Sequence, residues 1–221
     1  MSDIATLPRR KRKEATPTES SDVTIRKDVP VVNEDTSKLY SFSCVMIPIA
    51  SDIAILMDEW NKKNIPDDAL HIDPDTGMEG RETDPHVTIL YGIHTSNPDD
   101  LNDILFSENP PSFTLNKVSL FTTNPEFDVV KIDIDKTPEL MKLHDELVDN
   151  IEHTSKFPDY KPHATLAYVK KGTCSHLENN KDFIGMTSIS DCIEFHNREG
   201  DVSEYYNDID NDIDKSINGN K

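Results

Sequence analysis

Two histidines stand in near-copies of one octet. Asp84-Pro85-His86-Val87-Thr88-Ile89-Leu90-Tyr91 recurs as Lys161-Pro162-His163-Ala164-Thr165-Leu166-Ala167-Tyr168. Pro, His, Thr and Tyr keep their order, and the third residue after each His is aliphatic. Each octet reads as a strand, in which residues two apart share a face. His86 and Thr88 therefore stand side by side, and so do His163 and Thr165. The odd offset of Tyr91 and Tyr168 places both on the other face, where they are expected to join the core.

Imidazole titrates near neutrality, so one ring can take a proton while the other gives one. A threonine hydroxyl beside each ring can donate to a non-bridging phosphate oxygen. Two such pairs around one phosphodiester supply a base, an acid and two anion donors without a metal. A zinc site needs three or four converging ligands, and the repeat supplies only His86 and His163, so no metal and no cofactor are expected.

The elements that must hold these octets are mixed. Residues 40–49 read as a strand, and 51–63 as a helix with Ser51 as cap and Ile53, Leu56, Met57 and Trp60 on one side. Residues 64–84 are loop-like. A helix is expected over 98–106 behind Asn97, and another over 138–151 behind Thr137. Strands are expected over 87–91, 113–121, 127–134, 164–169 and within 184–195. Helices alternating with antiparallel hairpins give an α+β fold.

The chain has 221 residues, with 23 Lys and Arg against 42 Asp and Glu, a net charge of −19. Residues 1–38 hold few large apolar side chains and are expected to be an unfolded arm. Its basic run, Arg9 to Lys13, reads as a solvated charge cluster or as a localisation or nucleic-acid signal. Residues 201–221, with six acids and two lysines, read as an acidic flexible tail that frays around Tyr205 and Tyr206. The folded domain is expected over residues 39–200, where 13 basic and 29 acidic residues leave a net charge of −16. Such acidity disfavours non-specific binding to duplex nucleic acid or an anionic membrane. The longest apolar stretch, Cys44 to Ala50, is too short to cross a bilayer. Cys44, Cys174 and Cys192 are an odd number without a close pair, which fits a reducing cytoplasm rather than a disulfide framework.

The paired octets resemble the signature of the 2H phosphoesterase superfamily, which includes RNA 2',5'-ligase-like proteins and cyclic phosphodiesterases. The resemblance spans residues 39 to about 200. It implies a bilobal fold in which two antiparallel sheets with flanking helices enclose a cleft, with one motif per lobe. Within the superfamily, the strand Tyr40-Ser41-Phe42-Ser43-Cys44-Val45-Met46, the acidic loop before His86 and the compact second lobe look like phage anti-CBASS proteins. Those proteins degrade the cyclic nucleotide alarms of bacterial antiphage defence. The resemblance implies a cyclic oligonucleotide as the substrate, the host bacterial cytoplasm as the location, and His86, Thr88, His163 and Thr165 as the catalytic set. It also implies Tyr40 as a base-stacking aromatic and Glu194 as a nucleotide contact. The family's C-terminal tryptophan has no counterpart after His163, and Tyr205 or Tyr206 stands in for it. Lys161 is the local cation expected beside the substrate. The rival functions are cleavage of a 2',5'-oligonucleotide or a 2',3'-cyclic phosphate, a non-catalytic nucleotide sponge, and a virion or scaffold component.

Overall fold

The computed structural model describes residues 31–32, 38–39, 42–73, 80–154 and 159–206. Strands β1 (Val31–Val32) and β2 (Lys38–Leu39) form a short antiparallel ladder within and beside the stretch expected to be unfolded. Then follow β3 (Ser43–Pro48), α1 (Ser51–Asn64), β4 (His86–Ile93), α2 (Asn102–Leu105), β5 (Phe113–Phe121), β6 (Phe127–Ile134) and α3 (Pro138–Asn150). The chain continues through β7 (His163–Lys170), β8 (Thr187–Ser188), β9 (Cys192–His196) and β10 (Val202–Tyr206). The basic run around Arg9, the candidate Tyr40 and residues 207–221 lie outside the described residues.

The α+β class matches the sequence reading, but the expected pair of sheets is one eight-stranded antiparallel sheet. Its order is β10-β9-β3-β4-β7-β6-β5-β8. The halves join in the middle by a single residue pair, Val87 with Ala164. Beyond that pair β4 and β7 part, and each finds a new neighbour in the chain that leads into the other. Residues 152–154 lie along β4, through the Ile93–His153 bridge and a 2.8 Å bond from Thr154 N to the Gly92 carbonyl. Residues 80–82 lie along β7, through the Arg81–Ala167 bridge and a 2.9 Å bond from Glu82 N to the Leu166 carbonyl. The helices are exchanged in the same way. α3, which precedes β7, packs on β4, and α1, which precedes β4, packs on β7.

One face of the sheet and the helices form the core, which includes Val45, Ile47, Val87, Val130, Ile132 and Ala164. α1 contributes Ile53, Met57 and Trp60, and α3 contributes Leu140, Leu143 and Leu147. The helix starts differ in detail from the sequence reading. Thr137 Oγ1 accepts from Leu140 N at 3.2 Å, as a capping side chain should. Ser51, expected as a cap, is instead the first helical residue, and Ala50 stands before it without a side-chain bond. The helix expected over 98–106 is a 3₁₀ turn, Pro98–Asp100, followed by the four residues of α2.

The predicted tail from 201 is corrected by β10. Val202–Tyr206 pairs with β9, and Tyr205 is 3% exposed. Its hydroxyl donates to the Pro98 carbonyl at 3.0 Å, and its ring packs on Phe106. A sequence rich in Asp and Asn conceals a strand whose alternate residues reach a buried face.

Candidate active site

Each octet is set in the sheet by the same pattern of burial. Along β4 it runs half-buried at His86, Thr88 and Tyr91 and buried at Val87, Ile89 and Leu90. Along β7 it runs half-buried at His163, Thr165 and Tyr168 and buried at Ala164, Leu166 and Ala167. Val87 and Ala164 pair across the sheet and point into the core. In an antiparallel register, one step either way sets His86 across from Thr165 and Thr88 across from His163, on the face away from the core. The strands part beyond this pair, yet His86 remains near enough for its charge to act on His163. The two His-Thr pairs thus form one group with a local twofold arrangement, drawn from chain segments 77 residues apart.

The ring orientation is also duplicated. His86 Nδ1 lies 2.8 Å from the Asp84 carbonyl, and His163 Nδ1 lies 2.8 Å from the Lys161 carbonyl. A carbonyl only accepts, so Nδ1 carries the proton in both rings and Nε2 is left for chemistry. The proline between each pair has no N–H to compete for that carbonyl.

The expectation that Tyr91 and Tyr168 point into the core is overturned by a pair of β-bulges. On β4, Met46 pairs with Thr88 but Val45 pairs with Leu90, so Ile89 is an extra residue. On β7, Lys131 pairs with Thr165 but Val130 pairs with Ala167, so Leu166 is extra. An inserted residue reverses the alternation beyond it. Tyr91 and Tyr168 therefore share the face of the histidines and are half-buried. Phe42 meets Tyr91 edge-on at 6.2 Å, and Phe127 meets Tyr168 edge-on at 5.7 Å. At each bulge a carbonyl finds a side-chain donor. Tyr160 Oη donates to the Thr88 carbonyl at 3.0 Å, and Asn61 Nδ2 donates to the Leu166 carbonyl at 2.5 Å.

The flanks of the two pairs differ. On β3, Pro48 and Met46 pair with His86 and Thr88. On β6, Asp133 and Lys131 pair with His163 and Thr165. Lys131 is buried and ion-pairs with Asp133. Its ammonium donates to Ser119 Oγ at 2.7 Å and lies 4.3 Å from the centre of the Phe121 ring. Ser119 Oγ donates to Asp133 at 2.7 Å, and Phe121 meets His163 edge-on at 4.9 Å. Burial works to raise Asp133, but hydrogen bonds from Lys131 and Ser119 and the charges of Lys131 and Lys117 hold it below the usual carboxylate range. His163 is lowered, first by desolvation, with the Lys131 charge and His86 adding to it. The Lys161 carbonyl and Asp133 oppose that shift.

The other sequence candidates fall at different distances from this group. Glu194 pairs with Met46, which pairs with Thr88, so all three lie in one row across the same face. Its carboxylate is 2.6 Å from His196 Nε2. Lys161 has an exposed side chain, and its main-chain carbonyl is what reaches His163. Lys131, Asp133, Ser119 and Phe121 escaped the sequence reading. The signal for two of them is the alternation in β6, where Val130, Ile132 and Ile134 take one face and leave Lys131 and Asp133 together on the other. Among the described residues, no group of three or more His, Cys, Asp and Glu side chains converges to hold a metal, and no helix is long and apolar enough to cross a membrane.

A family model described as the 2'-5' RNA ligase superfamily matches residues 57–180. No curated protein matches the chain. Among solved structures, Escherichia coli LigT complexed with 3'-AMP is 15% identical, covers 75% of this chain and 94% of its own, and gives a TM-score of 0.49. The apo form of the same protein is 14% identical at a TM-score of 0.48, covering 75% of this chain and 94% of its own. TT0787 of Thermus thermophilus is 13% identical, covers 74% of this chain and 94% of its own, and gives a TM-score of 0.47.

Proposed function

The chain belongs to the 2'-5' RNA ligase superfamily, and from that premise we propose that it is a metal-independent phosphodiesterase that opens cyclic di- and trinucleotide second messengers. In an infected bacterium this activity removes the alarm nucleotides of antiphage defence, in the host cytoplasm. The observation that carries the catalytic part is the single Val87–Ala164 pair, which brings both His-x-Thr segments to one face of the sheet with His86 close enough to act on His163. A phosphodiester seated there meets two Nε2 atoms and two hydroxyls. One imidazole takes the proton of the attacking hydroxyl, from a ribose 2'-position or from water. The new P–O bond forms as the ester P–O bond breaks, and the second imidazole gives its proton to the departing oxygen. The threonine hydroxyls donate to the non-bridging oxygens as charge gathers on them. Attack by a 2'-hydroxyl yields a 2',3'-cyclic phosphate, and a deoxy substrate is then inert. Glu194, in the row that contains Thr88, supports a nucleotide contact on the β9 side.

The test is a panel of 3',3'- and 2',3'-linked cyclic nucleotides, 2',5'-oligonucleotides and nucleoside 2',3'-cyclic phosphates, with products resolved by chromatography. Wild type is expected to open the cyclic nucleotides in excess chelator. His86→Ala and His163→Ala are each expected to lose about 10²–10⁴ in turnover. Cleavage confined to the 2',5'-oligonucleotides or 2',3'-cyclic phosphates replaces the substrate but keeps the chemistry. Full recovery of bound cyclic nucleotide after long incubation replaces the enzyme with a sponge, and loss of activity in chelator replaces the metal-free mechanism.

A further inference from the structure

The two halves of the site agree in His, Thr, Tyr and bulge, and differ in the charge beside them. His86 and Thr88 are flanked on β3 by Pro48 and Met46, which carry none. His163 and Thr165 are flanked on β6 by Asp133 and Lys131. Burying an ammonium is costly unless it is paired and hydrogen-bonded. Lys131 is 5% exposed and has a partner in each direction, in Ser119, Asp133 and the face of Phe121. It is a fixed positive charge rather than an arm free to fold over a ligand. Phe121 carries the contact onward, since its ring also packs on His163.

From this asymmetry we propose that Lys131, held by Ser119 and Asp133, is a positioning residue that makes His163 the proton acceptor of the pair and leaves His86 the proton donor. The use of those protons rests on the phosphodiesterase reading above. The groups that face His163 are His86 from β4, Lys131 and Asp133 from β6, the Phe121 ring from β5 and the Lys161 carbonyl from its own segment. Lys117, on β5, acts on Asp133. Desolvation and the positive charge of Lys131 disfavour the imidazolium at His163, and Asp133 moderates them. The neutral ring accepts the nucleophile's proton at Nε2 as the new P–O bond forms. His86 releases its Nε2 proton to the leaving oxygen as the old bond breaks. Exchange with water then returns both rings to their starting forms.

Two measurements test this. The first is an NMR titration of the His163 ring in the free protein, which needs no activity. Lys131→Met is expected to move the titration to higher pH, Asp133→Asn to lower pH, and the double variant back toward wild type. Lys131→Arg, which keeps the charge, is expected to stay near wild type. The acidic limb of kcat/KM, which reports the base, is expected to move with the titration. Asp133 is partly exposed, so Asp133→Asn carries the test if Lys131→Met fails to fold. A His163 titration that ignores both single variants overturns the proposal. The second compares a ribonucleoside 3'-phosphodiester with an alkyl leaving group against one with a nitrophenyl leaving group, which departs without a proton. The defect of His86→Ala is expected to shrink by at least ~10-fold on the aryl ester, while that of His163→Ala stays at about 10²–10⁴. The reverse pattern exchanges the two roles and overturns the assignment. If wild type cleaves no ester at all, the phosphodiesterase reading falls, and the titration still decides whether Lys131 governs His163.

Discussion

Thr88 and Thr165 share the face of His86 and His163, and both are half-buried. Valine keeps their β-branched shape and strand preference but removes the only O–H donor each contributes. If those hydroxyls stabilise the charge that builds on phosphate oxygens, the loss falls on kcat rather than on folding. Thr88→Val and Thr165→Val are each expected to lower kcat by about 10²-fold or more, as removal of one anion donor does elsewhere. Their unfolding free energies are expected to stay within about 0.5 kcal/mol of wild type, as for other partly exposed positions. Steady-state rates on a cyclic nucleotide and a denaturant titration check the two halves of this statement. An unchanged kcat in both variants would take the hydroxyls out of the phosphate site. The same scale shows why the histidines were legible in the sequence and Lys131 was not. His-x-Thr fixes its own geometry along one strand, whereas the position of Lys131 depends on β6 pairing with β7.

The neighbour that β4 takes beyond its octet comes close to one glycine. Gly92 adopts a φ of +93°, and a Cβ placed there would lie 2.1 Å from the Thr154 carbonyl oxygen. At this point β4 has left β7 and has taken residues 152–154 as its neighbour, with Thr154 N bonded to the Gly92 carbonyl. Gly92→Ala must push that backbone away and strain its own, at a cost of roughly 2–4 kcal/mol. Chemical denaturation of the variant checks this, and a loss below about 0.5 kcal/mol would mean that the close approach is not needed. Most elements were readable from composition and period: β5, β6 and α3 run almost as expected because their apolar spacing is regular. The bulges at Ile89 and Leu166 were not, because an extra residue leaves no mark on a run of branched side chains. It appears only in the pairing with β3 and β6, and with it the placement of Tyr91 and Tyr168 reversed. β10 was missed because a strand of five residues with two acidic neighbours carries too little apolar signal to outweigh its surroundings.

The whole molecule opposes its proposed ligand. The net charge is −19 for the chain, while the fixed cation nearest the histidines, Lys131, is already paired with Asp133. A nucleotide phosphodiester therefore approaches through a repulsive field and is held by short-range contacts once it arrives. The screening length is about 30 Å at 0.01 M salt and about 10 Å at 0.1 M. Salt thus weakens the long-range repulsion and leaves contacts made inside the cleft largely intact. The expected result is the opposite of that for a basic nucleotide enzyme: kcat/KM on a cyclic nucleotide rises as sodium chloride goes from about 0.01 M to about 0.1 M. The acids on α3 make the point separable from the site. Glu139 and Asp149 are exposed on a helix that packs on the core side of β4. Glu139→Gln with Asp149→Asn is expected to raise kcat/KM at low salt and to flatten its salt dependence, with kcat unchanged. A kcat/KM that falls with salt in the wild type would mean that local cations such as Lys161 govern the field at the site, and that the acidity of the body is silent in substrate capture.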